Sequence, residues 1–170
     1  MSLGLWFLRV SEHRLRQYQI NEKLGEENLL KSDLDEPNEH LPEESRTDVD
    51  KAWEGIIYLL TGKPLSEAFS NPLTVHICGK HSLDVPLEYA MVSPRFLTAA
   101  DVKESLGILN LLTDDVLRSR FNAEEMNALD IYPGYWEEIE ADYVLNAFQH
   151  LKEFYAKAAE QNQAVIMYLS

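Results

Sequence analysis

Three groups of side chains in this chain have residue types and spacing suited to chemistry. The first is a set of carboxylates, Asp48, Asp50 and Glu54, in TDVDKAWEG. Paired acids perform general acid–base work when an apolar pocket separates their pKa values. The second is His76, Cys78 and His81 in VHICGKHS. Imidazole and thiolate are zinc ligands, and a thiol beside an imidazole is a candidate nucleophile. A structural zinc site takes four such ligands and no second pair lies nearby, so no metal is expected. No oxyanion-hole signature accompanies Cys78, and no catalytic residue is assigned. The third group is Tyr132, Tyr135 and Trp136 followed by Glu137 and Glu138. Aromatic rings beside acids form a surface for gripping a cation or an Arg-rich partner.

Each group also has a plainer reading. Acids in a first helical turn complement the helix dipole. The histidines and the thiol fit an ordinary loop with one buried sulfur. Trp136 fits the first core position of a helix, with the tyrosines packing the turn before it.

The elements that must position these groups follow from periodicity. Residues 47–62 read as one helix. Thr47 and Asp50 have the spacing of a capping box, and Val49, Trp53, Ile56, Ile57 and Leu60 share one face of a 3.6-residue repeat. Gly62 ends it and Pro64 prevents its resumption. Asp50 and Glu54, four apart, are expected on its exposed side, with Trp53 pointing inward. Residues 3–10, LGLWFLRV, read as a buried strand, and Ser11 opens a helix with Leu15 and Tyr18 inward. Residues 26–46 are polar and acidic and are broken by Pro37 and Pro42, which predicts a long surface excursion. Pro64 to Phe69 reads as a single turn. Residues 73–78 alternate weakly and read as a strand, as do residues 88–93.

Thr98 and Asp101 form a second capping box, opening a helix with Val102, Leu106, Leu109 and Leu112 inward. Thr113 and Asn122 cap two shorter helices. A long helix follows the IYPGYW turn, its inward face read as Trp136, Ile139, Tyr143, Ala147, Leu151, Phe154 and Ala158. AVIMYL at 164–169 closes the chain as a strand. The expected fold is α+β: a single domain over 1–170, with a small mixed sheet including the N- and C-terminal strands packed against a layer of helices.

Composition narrows the function classes. A chain of 170 residues, 45% hydrophobic, suits one domain with a proper core. No apolar run approaches the roughly 20 residues needed to span a bilayer, so no membrane partner is expected. The single cysteine allows no internal disulfide, which fits a reducing, cytoplasmic setting. The formal charge of −14 is unevenly spread. Residues 22–50 hold eleven acids and three bases; residues 121–151 hold seven acids and no Lys or Arg; the remainder is nearly neutral. Such a field repels nucleic acid and attracts cationic partners, and its plainer reading is acidity for solubility alone, on a purely structural domain. Gly-rich phosphate loops, nucleophile elbows and metalloprotease helices are all absent, and no cofactor is expected.

DVDKAWEGIIYLLTG, GKHSL at 79–83, IYPGYW at 131–136 and the closing FYAKAAEQNQAVIMYL together resemble the YfbM-like family, a bacterial domain of unknown function numbered 1877. The resemblance covers essentially the whole chain. It implies a compact α+β domain and carries no activity, cofactor or catalytic residue with it. One position departs: where Ile57 stands here, the family commonly has a histidine. An aliphatic residue neither shuttles protons nor binds metal, so any mechanism resting on that histidine is lost here; alternatively the histidine is only a packed core residue and Ile57 replaces its volume.

The expectation is a non-catalytic acidic protein-binding module, of which an immunity protein neutralising a basic toxin is the sharpest version. Its candidate surface comprises Asp48, Asp50, Trp53, Glu54, Tyr132, Tyr135, Trp136, Glu137 and Glu138. The alternative is an enzyme or small-molecule binder with its site between the 47–62 helix and the 131–136 turn. Oligomeric state is not readable from the sequence.

Overall fold

The computed structural model describes residues 2–23, 26, 45–85 and 93–170. Among them are β1 (Leu5–Val10), α1 (Glu12–Ile20), β2 (Arg46–Asp48), a 3₁₀ turn (Asp50–Ala52), α2 (Trp53–Thr61), α3 (Leu65–Ala68) and α4 (Val75–Cys78). They continue through β3 (His81–Ser82), β4 (Arg95–Leu97), α5 (Ala99–Leu109), α6 (Asp114–Arg120), α7 (Ala123–Ala128), a second 3₁₀ turn (Glu138–Glu140), α8 (Ala141–Glu160) and β5 (Ala164–Leu169).

The terminal strands pair with each other along their full length, Leu5 opposite Leu169 and Val10 opposite Ala164. Sheet order is β2-β1-β5-β4-β3. The α+β class and the inclusion of both terminal strands in the sheet stand as expected; their place inside it is set by the structure. The sheet is antiparallel at every described pairing rather than mixed, because no pair of neighbouring strands is joined by a parallel crossover. Side chains alternate between its faces. Leu5, Phe7, Val165 and Met167 enter the larger core beneath α2, α5 and α8. Leu8, Val10, Ala164 and Ile166 meet Leu15 and Tyr18 of α1 on the opposite face. Burial on both faces explains why β1 reads as a continuous apolar run.

Local cap chemistry holds where it spans three residues. Ser11, Thr113 and Asn122 each accept a backbone N–H three positions on. Thr98 and Asp101 form the full reciprocal box. Gly62 ends α2 at φ 72°, a left-handed conformation that glycine adopts without a Cβ penalty.

Other expectations are corrected. Thr47 caps no helix: it lies in β2 opposite Phe7, and its hydroxyl meets His150 Nε2 at 2.5 Å. The helix starts instead at Trp53, after the 3₁₀ turn. Residues 73–78 form no strand. Cys78 N–H donates to the Thr74 carbonyl and Gly79 N–H to that of Val75, making α4. Six residues of weak alternation do not distinguish the two states, and burial of the neighbours His76 and Ile77 decides here. The strand expected at 88–93 lies almost wholly outside the described residues; β4 follows Pro94. The acidic excursion at 26–46 likewise lies outside them, save Glu26, Ser45 and Arg46.

The inward face of α8 is Val144, Leu145, Phe148, Leu151, Phe154, Tyr155 and Ala158. Ile139 and Tyr143, expected inside, are exposed, and Ala147 is only partly buried. The cause is the 3₁₀ turn: Glu137 and Glu140 cap each other across it, breaking the helical phase between Trp136 and α8. No described helix is long and apolar enough to cross a membrane.

Candidate functional site

The residues singled out around 48–54 and 132–138 divide into a closed joint and an open acidic surface. The joint is built on Glu54. Far from facing solvent, Glu54 is 8% exposed. Its Oε1 accepts the Leu65 N–H at 2.8 Å and its Oε2 accepts the Tyr132 N–H at 2.7 Å. Residues 53–60 are all buried, so α2 has no solvent side to give a carboxylate. Glu54 therefore staples α2 to the start of α3 and to the 131–136 turn.

Rings fill the rest of this joint. Trp53 stacks on Tyr132, with centroids 5.6 Å apart and planes at 26°. Trp53 Nε1 donates to the Leu3 carbonyl, and Leu3 N–H donates to the Tyr132 hydroxyl. Trp136 is buried edge-on against Phe121, and its Nε1 donates to the Ile131 carbonyl. Asn127 receives the Trp136 N–H and donates to the Trp136 carbonyl. At Gly55 a Cβ would come within 3.2 Å of the Trp136 ring, so helix and turn meet backbone to ring. The cleft expected between them is occupied by this packing. Ile57 beneath it is fully buried in the core.

The remaining candidates stay at the surface. Asp48 Oδ1 accepts the Asp50 N–H at 2.8 Å, and Asp50 Oδ2 accepts the Tyr143 hydroxyl at 2.9 Å. Burial, then the bond to Asp50, push the Tyr143 phenol up to about 12. It therefore stays a donor and offers no base. Glu137 N–H donates to Glu140, and Glu138 accepts the Ala123 N–H at the start of α7. These acids satisfy orphan helix-terminal N–H groups. Asp142 pairs with Arg118. Between the acids stand Tyr135, 61% exposed, Ile139, 81% exposed, and Tyr143, 38% exposed.

Sequence reasoning brought Asp48, Asp50, Tyr135, Glu137 and Glu138 to this surface. It misses Ile139, Glu140, Asp142 and Tyr143, because a helical period running unbroken from Trp136 ignores the 3₁₀ turn. The E-x-x-E spacing of Glu137 and Glu140 was the available signal.

The second chemical group does not assemble. His76 Nδ1 meets Ser105 Oγ at 2.8 Å, His81 Nε2 meets Asp101 Oδ2 at 2.8 Å, and the Cys78 thiol is pushed up to about 12 by burial. Among the described residues no three His, Cys, Asp or Glu side chains are placed to share a metal ion.

The model of the family described as "Domain of unknown function (DUF1877)" matches residues 1–168. Protein YfbM of Escherichia coli strain K12 is 28% identical over 125 residues, covering 72% of each chain. The crystal structure of YfbM, titled a protein of unknown function from Escherichia coli, superposes with a TM-score of 0.75 over 98% of this chain and 99% of that one. At 19% identity this second likeness speaks to the fold alone.

Proposed function

We propose, from the premise that the chain belongs to the DUF1877 family, that it is a non-catalytic protein-binding module whose acidic face takes a basic protein surface. The observation that supports this reading is the composition of residues 135–143, exposed except at Trp136, Glu140 and Ala141. It carries Glu137, Glu138, Glu140 and Asp142, the last paired with Arg118 of α6, and three solvent-facing side chains with apolar surface, Tyr135, Ile139 and Tyr143. Asp48 and Asp50 join it through the Tyr143 hydroxyl.

Exposed rings and an aliphatic anchor supply contact area, while surrounding acids set the sign of the partner. A surface of this kind suits a partner with Lys and Arg around a small apolar recess. Bacterial toxins that grip nucleic acid have cationic active sites, and an immunity protein plugging one is the sharpest form of the proposal. The joint around Glu54 supports the binding role indirectly, since it fixes the 131–136 turn rigidly beneath the face.

The test is a pull-down from the producing cell with wild-type protein and the variant Asp50→Asn/Ile139→Ala/Asp142→Asn. A basic protein retained by the wild type, lost with the variant and released by raised salt is the expected result. Recovery of no basic protein, or retention indifferent to the variant, overturns the reading.

A further inference from the structure

A cavity of about 380 Å³ opens between α4 and α5, on elements away from the acidic face. Its size falls within the range of about 300–1,000 Å³ common for small-molecule sites. Leu73, Val75, Leu97 and Ile108 give it an aliphatic wall. The ionic side chains Lys80 and Glu104 face solvent, and Lys80 is committed to Asp101 at 3.2 Å. The polar groups of the interior are His76, 9% exposed, and Ser105, 1% exposed.

The bonds of these two residues assign their protons. His76 Nδ1 and Ser105 Oγ lie 2.8 Å apart, and this is the one bond of the Ser105 hydroxyl among the described residues. A proton on Nδ1 would leave the buried Ser105 O–H without an acceptor and His76 Nε2 without a donor. A hydroxyl that donates to Nδ1 leaves a single unmatched group, so this arrangement is favoured. Burial lowers the imidazole's pKa, and the ring is neutral at pH 7 with its one proton on Nε2. Nε2 makes no hydrogen bond among the described residues and is not sealed, so it opens on the cavity. The Tyr155 hydroxyl donates to the His76 carbonyl at 2.7 Å and holds the backbone beneath the ring. The cavity thus contains one oriented, unmatched donor beside an aliphatic wall.

We propose that this cavity binds a small neutral aliphatic carbonyl compound, its oxygen accepting from His76 Nε2–H and its alkyl chain lying against Leu73, Leu97 and Ile108. An amine is an ammonium at pH 7 and sets donor against donor. A carboxylate accepts, but it would give up hydration for an aliphatic wall with the neighbouring cation already paired. An alcohol accepts too, but brings a proton for which that wall has no acceptor. The His76–Ser105 pair positions the donor and is no nucleophile. Ser105 lies within helix α5, where neighbouring N–H groups are spent on the helix and none is aimed at a developing oxyanion. The proposal is independent of the acidic face.

An NMR titration of the full ¹⁵N-labelled chain tests it with four probes of one carbon skeleton or close to it: 4-methyl-2-pentanone, 4-methyl-2-pentanol, isopentylamine and 4-methylpentanoate. The ketone is expected to shift amides of 73–80 and 97–108 saturably. The alcohol is expected to bind about threefold more weakly and the two ions at least about tenfold more weakly. Long-range ¹H–¹⁵N correlation of the His76 ring is expected to show the proton on Nε2. His76→Phe should weaken the ketone about three- to tenfold, the scale of one neutral hydrogen bond, while amides elsewhere stay in place and report an intact fold. Ser105→Ala, which keeps the imidazole but removes the donor to Nδ1, should mix the two tautomers and weaken the ketone as well. The proposal is overturned by no saturable shift up to about 10 mM ketone, or by any other probe binding as tightly. It is equally overturned by a proton on Nδ1 in the wild type, or by ketone binding that ignores both variants.

Discussion

Tyr143 donates its hydroxyl to Asp50 Oδ2 at 2.9 Å, bridging 93 positions of chain. The bond ties the first turn of α8 to the 3₁₀ turn that precedes α2. Asp50 stands there at φ 45°, a conformation uncommon outside glycine and tolerated best by Asp and Asn. Burial comes first among the causes that raise the Tyr143 phenol to about 12, and the Asp50 carboxylate second. Asp50→Asn removes the charge and keeps the shape. Phenolate absorbance, with Tyr143→Phe as the subtraction, is expected to place Tyr143 near pH 12 in the wild type and lower in Asp50→Asn, still above its ordinary value because burial remains. An unchanged titration would dissolve the pairing.

Glu54 carries the joint beneath this face, so its two oxygens are not equivalent to any neutral replacement. Glu54→Gln turns one acceptor into an NH₂ that confronts a backbone N–H of Leu65 or Tyr132. Leaving a buried donor unsatisfied costs about 1–3 kcal/mol. Urea unfolding is expected to show a loss in that range with an unchanged slope, corresponding to roughly 2–4 °C in Tm per kcal/mol for a chain of this size. A loss below about 0.5 kcal/mol would place Glu54 on a solvated surface after all.

Two glycines with positive φ separate backbone strain from collision. At Gly62 a Cβ meets nothing within 4 Å, so Gly62→Ala costs only the left-handed conformation, about 1–2 kcal/mol. At Gly79, φ 88°, the same Cβ falls 2.6 Å from Met167 Sδ and 2.7 Å from Arg95 Cβ. Gly79→Ala adds overpacking of about 1–3 kcal/mol to the strain. Thermal unfolding of the two variants is expected to rank Gly79→Ala well below Gly62→Ala. Equal melting temperatures would contradict the packing of α4 against β4 and β5.

What was legible in the sequence is what a few neighbouring residues decide. The caps at Ser11, Thr98, Thr113 and Asn122, the stop at Gly62, and the terminal strands all follow from local chemistry or strong patterning. What was not legible depends on distant partners. Glu54 reads as exposed because it lies four residues after Asp50, but α3 and the 131–136 turn enclose it. His76 reads as one of a strand pair, but Ser105, 29 positions away, holds it inside a helical turn. Tyr143 reads as core because the helical period was carried back to Trp136 through a turn that breaks it. Within the candidate surface, the acids were legible from composition and the exposed apolar anchors were not.

Asp101 gives the fold an acid-dependent contribution. Burial favours its neutral form, but the Thr98 hydroxyl and N–H, His81 and Lys80 outweigh that and hold the carboxyl at about 2. A folded-state pKa below the unfolded value near 3.9 means the contribution is present above about pH 4 and is lost as pH falls through about 2. Asp101→Asn removes it at every pH. Urea midpoints measured from pH 7 to pH 2.5 are expected to show a gap between wild type and Asp101→Asn that is constant down to about pH 4 and narrows below it. A gap that stays constant to pH 2.5 would detach Asp101 from the α5 cap.

The environment of Cys78 predicts inertness where its residue type suggests reactivity. The thiol sits at the end of α4, packed against the larger core, and burial is the main cause that raises it to about 12. Arg95 pulls the other way and does not overcome it. At pH 8 a free thiol with pKa near 8.5 is substantially ionised, whereas one at 12 has a thiolate fraction roughly three orders of magnitude lower. A more basic thiolate is the better nucleophile, which recovers part of that deficit. Alkylation by iodoacetamide at pH 8, followed by mass spectrometry, is therefore expected to be at least about tenfold slower in the folded chain than in urea. The rate in folded protein should climb with pH without levelling by pH 10. Labelling as fast in folded as in unfolded protein, or a plateau near pH 8, would mean that His76 or His81 activates the sulfur, and would reopen the nucleophile reading that this geometry disfavours.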